Sequence, residues 1–223
     1  MIHIHYFITR KESLDDGAFH RYWHESHAPI VKRIKYLRIY VQSHRIPYAG
    51  SNSSYDGEAE VLIDSLQVLA QMRKSPEYLD GALADERNFI DLKHVEWMAT
   101  QDHVIVDGPT GSPLVKSVYQ LKKRDGMLVD EFRKYWIEVH GNLGSKLPGL
   151  RRYVQSHLVD EAYLYARPHF DGVAQLWFDS VDMMRAAFES PQGKALAEDG
   201  PKFTDMSALR MFVAREHIVI DGR

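Results

Sequence analysis

Apolar and polar side chains alternate from Ile2 to Ile8, the period of a strand with one buried face. Leu14, Ala18, Phe19, Tyr22 and Trp23 then recur at helical spacing, and Pro29 is expected to stop that helix. Tyr36 to His44, rich in β-branched and aromatic residues, predicts a second strand. After a polar loop through Ser51-Asn52-Ser53-Ser54, Glu58 to Ile63 predicts a third. Asp64 or Ser65 is placed to cap a helix that turns Leu66, Leu69 and Met72 to the core. A short helix around Ala82 to Ile90 and a strand ending at Val106 complete the order βαββαβ, an antiparallel sheet with helices on one face.

The order is then written a second time. A shift of 113 residues carries Phe19, Tyr22, Trp23, Glu25 and His27 onto Phe132, Tyr135, Trp136, Glu138 and His140. It carries Leu37, Arg38, Tyr40, Val41, Gln42, Ser43 and His44 onto Leu150, Arg151, Tyr153, Val154, Gln155, Ser156 and His157. The match reaches back to Tyr6/Tyr119 and, at shifts of 115 and 114, onward through Asp56-Gly57/Asp171-Gly172, Ser75-Pro76/Ser190-Pro191, Phe89/Phe203 and His103/His217. Gly108-Pro109-Thr110-Gly111-Ser112-Pro113 between the copies reads as a linker. A sheet covered on one face only needs a partner for the other, and a second copy in the same chain supplies it. The expected fold is α+β: two ferredoxin-like βαββαβ repeats, residues 1–108 and 114–223, forming an intramolecular dimeric α/β barrel.

Composition narrows the function. Hydrophobic residues at 44% and charged residues at 26% suit a globular core. A formal charge of −3 with interspersed signs offers no basic stripe, so nucleic acid is not expected as a partner. The absence of cysteine removes thiolate metal sites and a thiol nucleophile. The first residues lack the basic and continuous apolar regions of a signal peptide, and no run approaches the ~18 apolar residues of a membrane span. The expectation is a soluble, cytoplasmic protein with no membrane partner. With no phosphate loop, dinucleotide fingerprint or nucleophile elbow, nucleotide cofactors are not expected.

His27 continues the Phe19/Trp23 stripe at spacings of four, and His140 repeats it. Burial and a helix C-terminus act oppositely on such a histidine, which suits acid–base work near neutral pH; packing in the core is the other reading. Arg38, Tyr40, Gln42 and His44 share one strand face, as do Arg151, Tyr153, Gln155 and His157. Such a polar row lines a pocket or forms a satisfied network at a seam between the halves. Asp85/Asp199 and Asp91/Asp205 recur where an acid can pair with a histidine or solvate a helix. Tyr48, Tyr55, Tyr163 and Tyr165 lie in loops as a stacking lid or as packing. His3 and His5, or His24 and His27, suggest a metal, but no carboxylate completes a recognisable set and none is expected.

Phe19-His20-Arg21-Tyr22-Trp23-His24-Glu25-Ser26-His27-Ala28-Pro29 with Leu37-Arg38-Ile39-Tyr40-Val41 resembles the EthD family of the dimeric α/β-barrel superfamily, and the second copy resembles it again, with Asn142 in place of Pro29. The resemblance implies a pocket between sheet and helices in each half. It also implies a superfamily that spans polyketide cyclases, cofactor-free monooxygenases, lactone isomerases, decarboxylases and haem-dependent members, and EthD proteins themselves accompany ether-degrading oxidation systems. The resulting expectation is an enzyme without cofactor, acting on a small hydrophobic, phenolic or polyketide-like substrate. Its catalytic residues are His27, His140, His44 and His157; Tyr6, Trp23, Tyr40, Arg38, Tyr119, Trp136, Tyr153 and Arg151 bind substrate. A non-catalytic ligand-binding protein serving an oxidative pathway is the alternative, and a homodimer of tandem barrels stays open.

Overall fold

The structure, a computed structural model, describes residues 1–164 and 167–222. Its class is α+β: two ferredoxin-like repeats whose eight strands follow the cyclic order β1-β3-β2-β8-β5-β7-β6-β4, the topology of a dimeric α/β barrel. The first repeat runs β1 (Ile2–Ile8), α1 (Asp16–Arg21), a π-helical turn (Tyr22–His27), α2 (Ala28–Val31), β2 (Ile39–Ile46), β3 (Gly57–Ile63), α3 (Leu66–Met72), a second π-turn (Glu77–Ala82), α4 (Leu83–Glu86) and β4 (Glu96–Val106). The second runs β5 (Val115–Leu121), α5 (Val129–Tyr135), a π-turn (Trp136–Gly141), α6 (Asn142–Gly144), β6 (Leu150–Leu158), α7 (Asp160–Tyr163), β7 (Gly172–Phe178), α8 (Val181–Glu189), α9 (Pro191–Asp199) and β8 (Arg210–Asp221). Among the described residues no helix is long and apolar enough to cross a membrane.

Two compact units emerge. The first comprises 1–45, 54–99 and 216–223, the second 46–53 and 100–215, so each takes in part of a strand from the other repeat. In the first unit β3 lies between β1 and β2, pairing Ile2 with Ile63 and Ile39 with Leu62. Its core is Ile8, Phe19, Trp23, Phe89 and Ile90. In the second, β7 lies between β5 and β6, and Thr100–Val106 of β4 extends the sheet beyond β6. Phe132, Trp136, Phe178, Met184 and Phe203 form the heart of its larger core.

Local chemistry accounts for several boundaries. Ser65 and Ser180 cap α3 and α8 by accepting from the N–H of Val68 and Met183 at 3.3 and 3.2 Å. Pro29 does not stop its helix: the chain continues to Val31 because Pro29 sits in the first turn of α2, where the preceding π-turn asks no donor of it. The second strand starts at Ile39 rather than Tyr36. A one-residue difference between the repeats, visible as the change of shift from 115 at Ser75 to 114 at Phe89, is absorbed in the turn Glu77–Ala82, where the second repeat has plain α-helix. Widening one turn admits the extra residue and leaves the later residues in step.

Gly57 and Gly172 let the indoles of Trp23 and Trp136 lie on the sheet. A Cβ at Gly57 would fall 2.6 Å from the Trp23 ring and 2.7 Å from the Ser43 carbonyl; at Gly172 the Trp136 ring and the Ser156 carbonyl are both at 2.6 Å. Neither neighbour can yield cheaply. Gly57→Ala and Gly172→Ala are each expected to cost about 1–3 kcal/mol of overpacking, read as a lower urea midpoint at unchanged slope.

Candidate active site

Each unit has a cavity, half open to the surface, between its sheet and its helices, about 200 Å³ in the first and about 230 Å³ in the second. Both are small against the usual range of drug-sized ligand pockets, about 300–1,000 Å³. Tyr6, Trp23, His27 and Tyr40 line the first; their counterparts Tyr119, Trp136, His140 and Tyr153 line the second.

The π-turn sets the histidine. The N–H of Ala28 bonds to the carbonyl of Trp23, five residues back, and the same carbonyl accepts from Gln42 Nε2 at 2.9 Å. This wider turn keeps His27, four residues after Trp23, on the cavity side. Gln155 holds the Trp136 carbonyl identically, again at 2.9 Å. π-turns of this kind often mark functional sites.

His27 Nδ1 lies 2.8 Å from Asp85 Oδ2, while Tyr22 and Asn88 donate to Asp85 Oδ1 at 2.7 and 2.9 Å. In the second unit His140 Nδ1 is 3.0 Å from Asp199 Oδ2, Tyr135 donates to Oδ1 at 2.7 Å, and Lys202 stands 3.2 Å from that oxygen. Burial holds both histidines below their ordinary pKa against the upward pull of the aspartates. Burial raises both aspartates, but the hydrogen bonds from Tyr22, His27 and Asn88, or from Tyr135, His140 and Lys202, outweigh it and leave each carboxyl below its usual range. Near neutral pH the pair is therefore a carboxylate and a neutral imidazole. A carboxylate only accepts, so Nδ1 carries the ring proton and Nε2 keeps its lone pair for a ligand.

Tyr40 completes the wall. Its hydroxyl oxygen accepts from Gln42 Nε2 at 2.9 Å and Trp23 Nε1 at 3.3 Å, which leaves its own O–H free to donate. Tyr153 accepts from Gln155 Nε2 at 2.9 Å, and burial pushes its phenol up to about 12. Both are neutral donors for a developing oxyanion.

Other expected site residues lie elsewhere. His44 and His157 line neither cavity: their rings stack on the indoles of Trp23 and Trp136 at 4.4 and 4.5 Å, and their Nε2 atoms turn to Gln42 and Gln155. Arg38 precedes β2 and pairs with Asp64 at the surface, 2.9 and 2.7 Å; exposed Arg151 lies 3.7 Å from Asp179. Of the four loop tyrosines, Tyr55 donates to Glu96 and Tyr163 to Asp171, Tyr48 packs on the core of the second unit, and Tyr165 lies outside the described residues. Asp91 and Asp205 order surface turns instead. His24 faces Gln42 and His217 rather than joining His27. His5, Glu58 and Glu60 each bring a metal-ligating atom within 4.8 Å of the others, but His5 and Glu58 already share a 2.6 Å hydrogen bond and Glu60 holds Ser43.

Comparison with known proteins shows the same division. The EthD domain model matches twice, over residues 11–93 and 124–207. No curated protein matches the chain. An anthrone oxidase-like protein, 11% identical, superposes with a TM-score of 0.65 over 100% of this chain and 94% of its own. A mutant chlorite dismutase from Candidatus Nitrospira defluvii, 11% identical, does so at 0.57 over 96% and 90%. An EthD family protein from Bacillus halodurans C-125, 22% identical, covers 47% of this chain with 99% of its own at 0.40. At such identities the two whole-chain matches speak for the fold alone.

Proposed function

We propose, from the premise that this chain belongs to the EthD domain family, that it is a cofactor-independent enzyme whose neutral histidines take a proton from a small hydrophobic substrate of phenolic or polyketide-like type. The observation that carries this reading is the hydrogen bond from Nδ1 of each cavity histidine to an aspartate, 2.8 Å to the partly buried Asp85 at His27 and 3.0 Å to the buried Asp199 at His140. It leaves Nε2 as a base and stabilises the imidazolium formed when the proton arrives. The substrate becomes an enolate or phenolate, with Tyr40 or Tyr153 donating to its oxygen.

Such an anion is the entry to isomerisation and, with molecular oxygen as co-substrate, to the oxidative chemistry named for the anthrone oxidase-like neighbour. In a decarboxylation the same imidazolium returns a proton to the carbanion. Haem, a cofactor in other members of the superfamily, is too large to be enclosed in spaces of about 200 and 230 Å³, both of which are half open to the surface.

The test is turnover of 1-naphthol, anthrone and related compounds by the wild type and by a His27→Ala/His140→Ala variant, with binding followed by tryptophan quenching. The double variant is expected to lose about 10²–10⁴-fold in rate while binding within a few-fold of wild type. Binding without turnover in both proteins would favour a ligand-carrying accessory protein.

A further inference from the structure

The two cavities descend from one sequence, so positions where they differ report what each has been asked to do. Their histidine, aspartate, indole and phenol are shared. Their second helices are not: Arg73, Tyr78 and Glu86 line the first cavity, whereas Phe188 and Gly200 stand in the second at the positions matching Arg73 and Glu86. The first cavity carries a carboxyl group on the wall it shares with the base, and the second has no acid in that place.

We infer that Glu86 is a second catalytic group in the first cavity, a general acid working with His27 on a small carbonyl substrate, and that the second cavity does not share this two-group chemistry. This rests on His27 being the base. The step balances within the cavity: a C–H bond next to the carbonyl breaks as its proton passes to His27 Nε2, and the Glu86 O–H proton passes to the carbonyl oxygen. The ketone becomes its enol, with imidazolium and carboxylate behind; the imidazolium, its proton exchanged with water, then protonates the carbon as the carboxylate takes back the enol O–H proton, which restores the ketone and resets both groups. No oxidant is consumed.

Placement supports the role. Glu86 ends α4 directly after Asp85, so the helix that orients the base also carries the acid. The groups around it are Asp85 on its own helix, Arg73 from the end of α3, Tyr78 from the π-turn, Tyr6 and Tyr40 from the sheet, and His27 on the shared cavity wall. Burial foremost, then the Asp85 charge, raises its carboxyl to about 7 against the opposing pull of Arg73. A carboxylic acid is thus retained at the pH where His27 is already neutral, the paired condition that acid–base catalysis needs.

The test is deuterium incorporation from D₂O at the activated methylene of 2-tetralone, followed by NMR across pH, in full-length chains that all carry His140→Ala to silence the second cavity. With His27 and Glu86 intact, the rate is expected to rise as His27 loses its proton below its ordinary 6.5 and to fall above about 7 as Glu86 ionises. Glu86→Gln, isosteric and without charge, is expected to slow exchange about 100-fold and to abolish the alkaline limb, with tetralone affinity held within a few-fold. His27→Gln should remove exchange altogether. Should His27→Gln stop exchange while Glu86→Gln keeps both rate and alkaline limb, the role of Glu86 is overturned and the base stands. Exchange untouched by either substitution, or a parent protein that does not bind or does not exchange tetralone, overturns both.

Discussion

Exchanging Asp85 for asparagine is expected to lower turnover in the first cavity by about two to four orders of magnitude while the fold persists. The cause is the tautomer. Asp85 Oδ2 can only accept, which keeps the ring proton of His27 on Nδ1 at 2.8 Å and leaves Nε2 of this cavity-lining ring with its lone pair. An asparagine side chain presents a carbonyl or an amide to that nitrogen. Oδ1 already receives hydrogen bonds from Tyr22 and Asn88, so the amide NH₂ would turn toward His27. Nδ1 then becomes an acceptor, the proton moves to Nε2, and the base is lost without loss of shape. The carboxylate that would stabilise imidazolium disappears with it. Turnover measured at saturating substrate, in a His140→Ala background, should fall while KM changes by less than tenfold. A variant with nearly wild-type turnover would make the His–Asp pair a structural contact.

Asp85 marks the limit of what the residue pattern discloses. The Phe19-Trp23-His27 stripe is legible because helical spacing and its recurrence at Phe132-Trp136-His140 agree, and the π-turns hold that spacing on one face. Tyr40 and Gln42 are legible as a polar row on β2, and the pleat correctly puts His44 with them. Parity along a strand does not say which row member passes beyond the tryptophan, so the stack of His44 on Trp23 is invisible in the pattern. Arg38 leaves the row because the strand begins one residue after it. Asp85 lies 58 positions from His27, on a helix where acids ordinarily meet water. Its signal was joint recurrence: Tyr22, His27 and Asp85 return as Tyr135, His140 and Asp199, three groups that meet at one carboxylate in each half. Glu86 escapes because it does not recur: Gly200 stands at its place in the second copy, and recurrence marks only what the copies share.

Acid is expected to unfold the chain earlier and more steeply than titration of its carboxylates alone would, with His44 and His157 chiefly responsible. Both rings are buried against an indole. Burial first, then the charges of His20, His217 and His24, takes His44 down to about 2; burial, then His103 and Arg133, takes His157 down to about 3. In the unfolded chain each returns to its ordinary 6.5. Between these limits the unfolded state binds protons that the folded state refuses. The stability owed to the neutral rings is therefore complete above about 6.5 and is lost progressively as pH falls toward about 3 and 2. Each group contributes a slope on the order of 1 kcal/mol per pH unit. Two such groups over two pH units remove several kcal/mol, a large part of the roughly 5–15 kcal/mol that holds an ordinary domain together. His27 and His140, also held low by burial, add in the same direction. Urea midpoints of the wild type and of a His44→Phe/His157→Phe variant, taken at pH 7, 5 and 4, separate this cause from the carboxylates. Phenylalanine keeps a ring against the indole but cannot titrate, so the variant should lose markedly less stability between pH 7 and 4. Equal losses in the two proteins would place the acid sensitivity elsewhere and leave the stacked histidines as inert packing.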